Sequence, residues 1–198
     1  MNQTVNDPAT DTKSRILAAA SALFLEGGAK ALSVRAVAAR AGLSTIGIYS
    51  HFNGKQGVLD ALYIEGFGLI SQPAPMGPDI GARQAVLTAC RRYLDAAERH
   101  EAHYLLIFGE ADPNYEPSEE ARKVAARAFV QMAADVARLL PPDAPLPVRQ
   151  DAALQVWSLL HGAVSLRRHA VAGMVPMEGW QARTMTALEH LIDGITAA

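Results

Sequence analysis

A single cysteine, Cys90, is all the thiol this 198-residue sequence carries. One cysteine excludes an internal disulfide and a cysteine-rich metal site. Its neighbours Leu87, Ala89, Tyr93 and Leu94 mark it as a small buried hydrophobe. Long apolar runs are missing too; none approaches the roughly 20 residues a membrane-spanning helix needs. Residues 1–10 are polar and lack the basic start and apolar stretch of a signal peptide, so a frayed tail is expected there. These absences lead to the expectation of a cytoplasmic protein with no membrane partner. The motifs GxxxxGK(S/T), GxSxG and HExxH do not occur, and Gly66-Phe67-Gly68 is too little for a nucleotide loop. His100 and His103, beside Glu98 and Glu101, have a spacing that can hold a metal, but a solvated, charged helix end is the commoner use of such residues. Ser118-Glu119-Glu120 after Pro117 reads as a helix start, not an acid/base pair. No catalytic set, metal or cofactor is therefore expected.

What is present is helical spacing. Ile16, Leu17, Ala20, Leu23 and Phe24 recur as one face of a helix from Asp11 to Glu26, which Gly27-Gly28 stops. Ser33 caps a short second helix with Val34, Val37, Ala38 and Ala41 inward. Ser44 caps a third, running to about Ser50. Asn53, with Gln56 three residues on, suits the cap of a fourth that continues to Ile70. The segment SQPAPMGP, with three prolines and a glycine, is the clearest boundary in the chain. Further helices are expected over 79–99, 100–109, 118–140 and 148–171, with a last one after Pro176. No strand-like alternation or internal repeat appears. The expected fold is all-α with about nine helices.

Net charge is −2, which alone argues against nucleic acid. Its distribution argues otherwise. Residues 1–55 hold six basic and three acidic side chains; the remainder holds twelve and seventeen. In this basic head, SVRAVAARAGLSTIGIYSHF (33–52) has helix, three-residue turn, helix spacing. Gly42 supplies the positive φ that the turn needs. Leu43, Ile48 and Phe52 point back to the first helix. Ser44, Thr45, Gly47, Tyr49 and His51 are left outward, suited to a major groove and its phosphates.

The stretch GLSTIGIYSHFNGKQGVLDAL resembles the signature of TetR-type (tetracycline-repressor-like) regulators: a Gly-hydrophobic-Ser turn, a short recognition helix, Tyr-x-His-Phe, then a Lys opening the fourth helix. The resemblance covers about residues 11–65. It implies a helix-turn-helix DNA-binding domain, a divergent C-terminal domain that dimerises and binds an effector, and usually repression. It further implies that Ser33 bonds a phosphate, Arg35 reaches a phosphate or base edge, Thr45 reads a base, and Tyr49, His51 and Lys55 clamp the backbone. Many relatives have Gly at the place of Ile46 and a hydroxyl residue at the place of Gly47. Here Ile46 is offered to a thymine methyl and Gly47 offers backbone only.

A second likeness lies in LQVWSLLHGAVSL (154–166), where Trp157 and His161-Gly162 resemble the WHG subgroup of these C-terminal domains. Trp157 and His161 share a helix face. With Tyr93, Tyr104, Phe108, Phe129 and Met132 they are candidates to line a pocket for a small hydrophobic effector. The same aromatics would equally fill a core. Leu159, Leu188, Leu191 and Ile195 are candidate dimer contacts. The expected organisation is a tail (1–10), a DNA-binding domain (11–54), a connecting helix and linker (55–77) and an effector and dimerisation domain (78–198). The expected partners are a palindromic double-stranded DNA operator, a second copy of the chain and the effector. A small helical enzyme would need a nucleophile-base or metal set that the sequence lacks. A protein-binding helical adaptor would leave the Tyr-x-His-Phe-x-x-Lys segment unexplained.

Overall fold

The structure, a computed structural model, describes residues 8–77, 79–108, 115–169 and 173–197. Among these residues it contains nine α-helices and no strand. They are α1 (Pro8–Gly27), α2 (Val34–Ala41), α3 (Thr45–Phe52), α4 (Gly54–Ile70), α5 (Ala82–Arg99), α6 (Glu101–Ile107), α7 (Glu119–Ala137), α8 (Leu146–Arg168) and α9 (Trp180–Ala197), with a 3-10 turn over Gly28–Ala31. Of the expected tail, residues 1–7 lie outside the described residues, whereas 8–10 form the first turn of α1. The expected helix ends at Gly109 and Val171 also fall outside them. No described helix is long and apolar enough to cross a membrane.

Compactness divides the chain into Met1–Phe67 with His100–Val124, and Gly68–Arg99 with Ala125–Ala198. This differs from the boundaries expected from the linker alone: α6 and the first turns of α7 pack with the N-terminal helices.

In the first unit, Ile16, Ala20 and Phe24 of α1, Val37, Ala38 and Ala41 of α2, Ile48 of α3 and Val58, Leu59 and Leu62 of α4 are buried. Each fully buried Ile or Leu contributes about 1.5–3 kcal/mol. A β-carbon on Gly66 would stand 2.8 Å from Ile107 Cγ2, so only glycine lets α4 and α6 approach this closely. One turn away, His103 Nε2 and Glu65 Oε2 share a hydrogen bond of 3.0 Å. That bond holds the Glu65 carboxyl below its usual range against partial burial. Asp60 ties α4 to the start of α7. Its Oδ1 accepts from the Tyr115 hydroxyl at 2.7 Å and from the Ser118 N–H at 3.1 Å. Burial, then the bond to Asp60, pushes the Tyr115 phenol pKa upward. Gln56 Nε2 donates to the Glu116 carbonyl at 2.9 Å. Ser118 caps α7 as the sequence suggested, accepting from the Ala121 N–H at 3.2 Å.

In the second unit α5, α8 and α9 pack against one another. Their shared core holds Val86, Cys90 and Leu94 of α5, Ala153, Val156, Leu160 and Val164 of α8, and Met185, Leu188 and Ile192 of α9. Burial pushes the Cys90 thiol up to about 12, so it sits in this core as a neutral hydrophobe. Arg167 donates to Glu98 at 3.0 Å and lies over the Trp180 ring at 5.2 Å. The proline-rich segment is strapped down by Asp135, a buried carboxylate that accepts from the Ala74 N–H at 3.0 Å and Gln131 Nε2 at 3.3 Å.

Candidate nucleic-acid interface

The turn between α2 and α3 is built from two side-chain caps and one left-handed residue. Ser33 Oγ accepts from the Ala36 N–H at 3.1 Å, opening α2. Gly42, at φ 66°, closes it, and Leu43 N–H donates to the Ala38 carbonyl at 2.9 Å. Ser44 Oγ then accepts from the Gly47 N–H at 3.2 Å, opening α3. Both hydroxyls accept in these caps and keep their own O–H to donate outward.

α3 is oriented by the core it buries. Ile48 is 0% exposed, and Leu43 and Phe52 are half-buried. The opposite face presents Ser44, Thr45, Ile46 (78% exposed) and Tyr49 (59%) to solvent. Ser33 and Arg35 are exposed at the start of α2; Gly47, His51 and Lys55 are half-buried. The Tyr49 ring lies against Gly54, where a β-carbon would be 3.0 Å from Cε1. Lys55 Nζ donates to the Ala29 carbonyl at 3.5 Å. One expectation is corrected here. Asn53 does not cap α4; it closes α3 in the left-handed conformation at φ 52°, with its N–H donating to the Tyr49 carbonyl at 3.2 Å, and α4 starts at the next residue. Asn is favoured at both kinds of cap, and the sequence pattern does not separate them.

Two arginines that sequence reasoning left out hold this reader together. Arg15 of α1 donates to the Ala41 carbonyl at 2.7 Å, placing its charge at the C-terminal end of α2. Arg40 forms a two-pronged pair with Glu26 at 2.9 and 2.7 Å. That pairing lowers the pKa of Glu26 and raises that of Arg40. Both partners lie more than twenty or ten residues away in sequence, where local pattern gives no signal.

The seven effector candidates fall into two groups. Tyr104 and Phe108 of the first unit join a row of rings: Tyr104–Phe108 at 4.7 Å, Phe108–Phe67 at 6.4 Å, Phe67–Tyr63 at 5.0 Å and Tyr63–Tyr115 at 5.9 Å. In the second unit Phe129, Trp157 and His161 make a shorter row, with centroids 6.0 and 6.1 Å apart. Met132 is half-buried and Tyr93 buried. Of the candidate dimer residues, Leu159, Leu191 and Ile195 are half-buried. Leu188 is 0% exposed within its own chain, so it has no surface left for a partner. His100 and His103 touch edge to face at 5.9 Å. Among the described residues no group of three His, Cys, Asp or Glu side chains is arranged to hold a metal ion.

Residues 16–62 match the family model for bacterial regulatory proteins of the tetR family. Residues 86–194 match that for the tetracyclin repressor-like C-terminal domain. No curated protein matches the sequence. The fold is shared with several solved structures. A protein of unknown function from Rhodococcus sp. RHA1 superposes with a TM-score of 0.72 at 21% identity, over 98% of each chain. The TetR family transcriptional regulator PfmR from Thermus thermophilus gives 0.67 at 18% identity, over 90% of this chain and 97% of that one. A TetR variant from Acinetobacter baumannii AYE in complex with minocycline gives 0.60 at 21% identity, over 96% of each. Two capped helices around a left-handed glycine, matched by one model, and a helical second unit, matched over more than half the chain by the other, have one reading: the chain belongs to the tetR family and is a transcription regulator with an N-terminal helix-turn-helix DNA-binding domain.

Proposed function

We propose that the chain is a repressor that binds a palindromic operator as a homodimer and releases it when a small hydrophobic effector binds. The observation that carries this reading is the outward row Ser44, Thr45, Ile46 and Tyr49, fixed by caps at both ends of α3 and turned away from the core. Serine hydroxyls, a tyrosine and a histidine suit phosphate oxygens, and Arg35 and Lys55 add the charge that displaces counterions.

What α5 leaves uncovered supports dimerisation. This helix packs against both α8 and α9. The remaining surface exposes Leu154 and Leu166 with Ser158 on α8, and Thr186 and His190 on α9. A two-fold contact there would make a four-helix bundle. It would set two recognition helices for half-sites roughly 34–36 Å apart. Leu159, Leu191 and Ile195 would add partly covered apolar area.

For the effector, the row Phe129–Trp157–His161 offers apolar ring surface with one polar group to orient a ligand. An uncharged or weakly acidic hydrophobic molecule fits that chemistry. The minocycline complex of the Acinetobacter protein supports a bulky ring system as a ligand of this fold. The effector acts only through its unequal affinity for the DNA-bound and DNA-free conformations.

Fluorescence anisotropy on the DNA upstream of the chain's own gene tests the core of the proposal. Arg35→Ala, Tyr49→Phe and Lys55→Ala should each weaken binding, and Lys55→Ala should lower the slope of log affinity against log salt by about one. Three variants that bind like the parent at matched salt would refute it. Light scattering that finds only monomer at micromolar concentration would remove the dimer. A thermal-shift screen in which no apolar compound stabilises the protein or releases DNA would remove the effector.

A further inference from the structure

Ile46 is a large aliphatic side chain on the outward face of α3, and neither the core nor phosphate contact accounts for it. It stands two positions before Ile48, about 200° around the helix. Ile48 is wholly buried, whereas Ile46 is 78% exposed and gains no burial within the chain. Its neighbour Gly47 is bare without an internal reason. A β-carbon there would meet only Leu43 Cβ at 3.7 Å and Ser44 Oγ at 3.8 Å, ordinary contacts. Its φ is not positive, so the backbone does not require glycine either. Alanine would serve the helix better. The backbone at Gly47 is also pinned, with Ser44 Oγ accepting from its N–H and Ser50 Oγ donating to its carbonyl at 2.9 Å. A rigid bare patch therefore stands beside an apolar knob on the first turn of the recognition helix.

We propose that Ile46 is a specificity-determining residue that reads the 5-methyl group of thymine in the major groove, and that Gly47 gives α3 the clearance to bring it there. The major-groove edges of guanine, cytosine and adenine offer donors and acceptors; thymine alone adds an apolar group. A side chain without hydrogen-bonding atoms gains at a thymine and loses where it covers a polar edge. Arginine or lysine in this position would favour guanine instead. The inference rests on the operator-binding reading above and deepens it by naming the base feature read.

The test begins with full-length protein and random duplex DNA, from which preferred sites are enriched. In the best site each thymidine is replaced singly by deoxyuridine, which removes the methyl and keeps the pairing. Affinity is measured at fixed salt. One thymine in a half-site should show about a fourfold loss on removal of its methyl. Ile46→Ala should abolish that dependence while melting at the same temperature as the parent, and Ile46→Val should retain most of it. Gly47→Ala should melt no lower than the parent yet bind every site more weakly. Uracil tolerated at every position, or a methyl dependence that survives Ile46→Ala, would overturn the assignment. Failure of the parent protein to enrich any sequence would refute operator binding itself, before any variant is made, and the assignment would fall with it.

Discussion

The glycines inside the helices of the two units answer to different neighbours. In the first unit, a β-carbon at Gly57 would overlap the carbonyl of Phe52, and one at Gly66 would press on Ile107 and His103. In the second, β-carbons at Gly162 of α8 and Gly194 of α9 would meet nothing within 4 Å. Each mid-helix glycine costs roughly 0.5–1 kcal/mol relative to alanine. At Gly57 and Gly66 the first unit recovers that cost inside the chain, through the close approach of α3, α4 and α6; Gly47 is its exception. The second unit does not, and Gly162 shares α8 with the exposed Leu154 and Leu166. A DNA reader is held by its own interior; the second unit keeps small residues on surface that the single chain leaves empty.

The sharpest way to break this contrast is Gly57→Ala. It should cost about 3 kcal/mol or more, because the overlap is with backbone, which has no rotamer to move into. A thermal melt followed by circular dichroism should fall by roughly 10 °C. A variant that melts with the parent would mean that α3 and α4 are less tightly joined than described.

Tyr115→Phe should cost about 1 kcal/mol, read from urea unfolding, as Asp60 loses one of its hydrogen-bond donors. It asks whether polar ties, as well as close packing, hold the first unit.

Gly162→Ala carries the opposite sign. Dilute protein should gain about 0.5–1 kcal/mol in stability. Sedimentation should show weaker self-association if that glycine lies in the proposed dimer face. Unchanged association with a gain in stability would leave the glycine without a partner to answer to.

The smallest effect is expected at Glu65. Its folded pKa lies below the ordinary carboxylate value, through the hydrogen bond with His103. The stabilisation is therefore present above the unfolded pKa of about 4.5 and is lost as pH falls through the folded value. Glu65→Gln should remove a few tenths of a kcal/mol at neutral pH, given the partial exposure of the carboxylate, and flatten the acid limb of the stability curve.

What the sequence makes legible is what lies within one helical turn. Ser33, Gly42 and Ser44 act on neighbours three to five residues away, and their roles follow directly from residue type and spacing. Asn53 sits at the limit of that reach, since the same amide suits the end of one helix and the start of the next. Periodicity placed Leu188 and Leu191 on one apolar side of α9, but which part of that side α5 covers is a property of packing. So Leu188 is sealed, and Leu154, outside the candidate set, is exposed. The partition of the chain was illegible for the same reason. The Asp60–Tyr115 bond spans 55 residues, and no local pattern announces that the start of α7 belongs with α4. Ile46 and its thymine-methyl reading were visible in the motif; its exposure and the open space at Gly47 are what the structure adds.

The joint between α3 and α4 has a mechanical consequence. One residue, Asn53, separates the two helices, and it and Gly54 both hold positive φ, at 52° and 85°. The Phe52 carbonyl and the Tyr49 ring fill the space that side chains at Gly57 and Gly54 would occupy. A hinge with spare residues absorbs strain by bending, but this joint has a single residue of length. It therefore works as a short elbow, and a rotation of α4 about its own axis should carry the recognition helix with it.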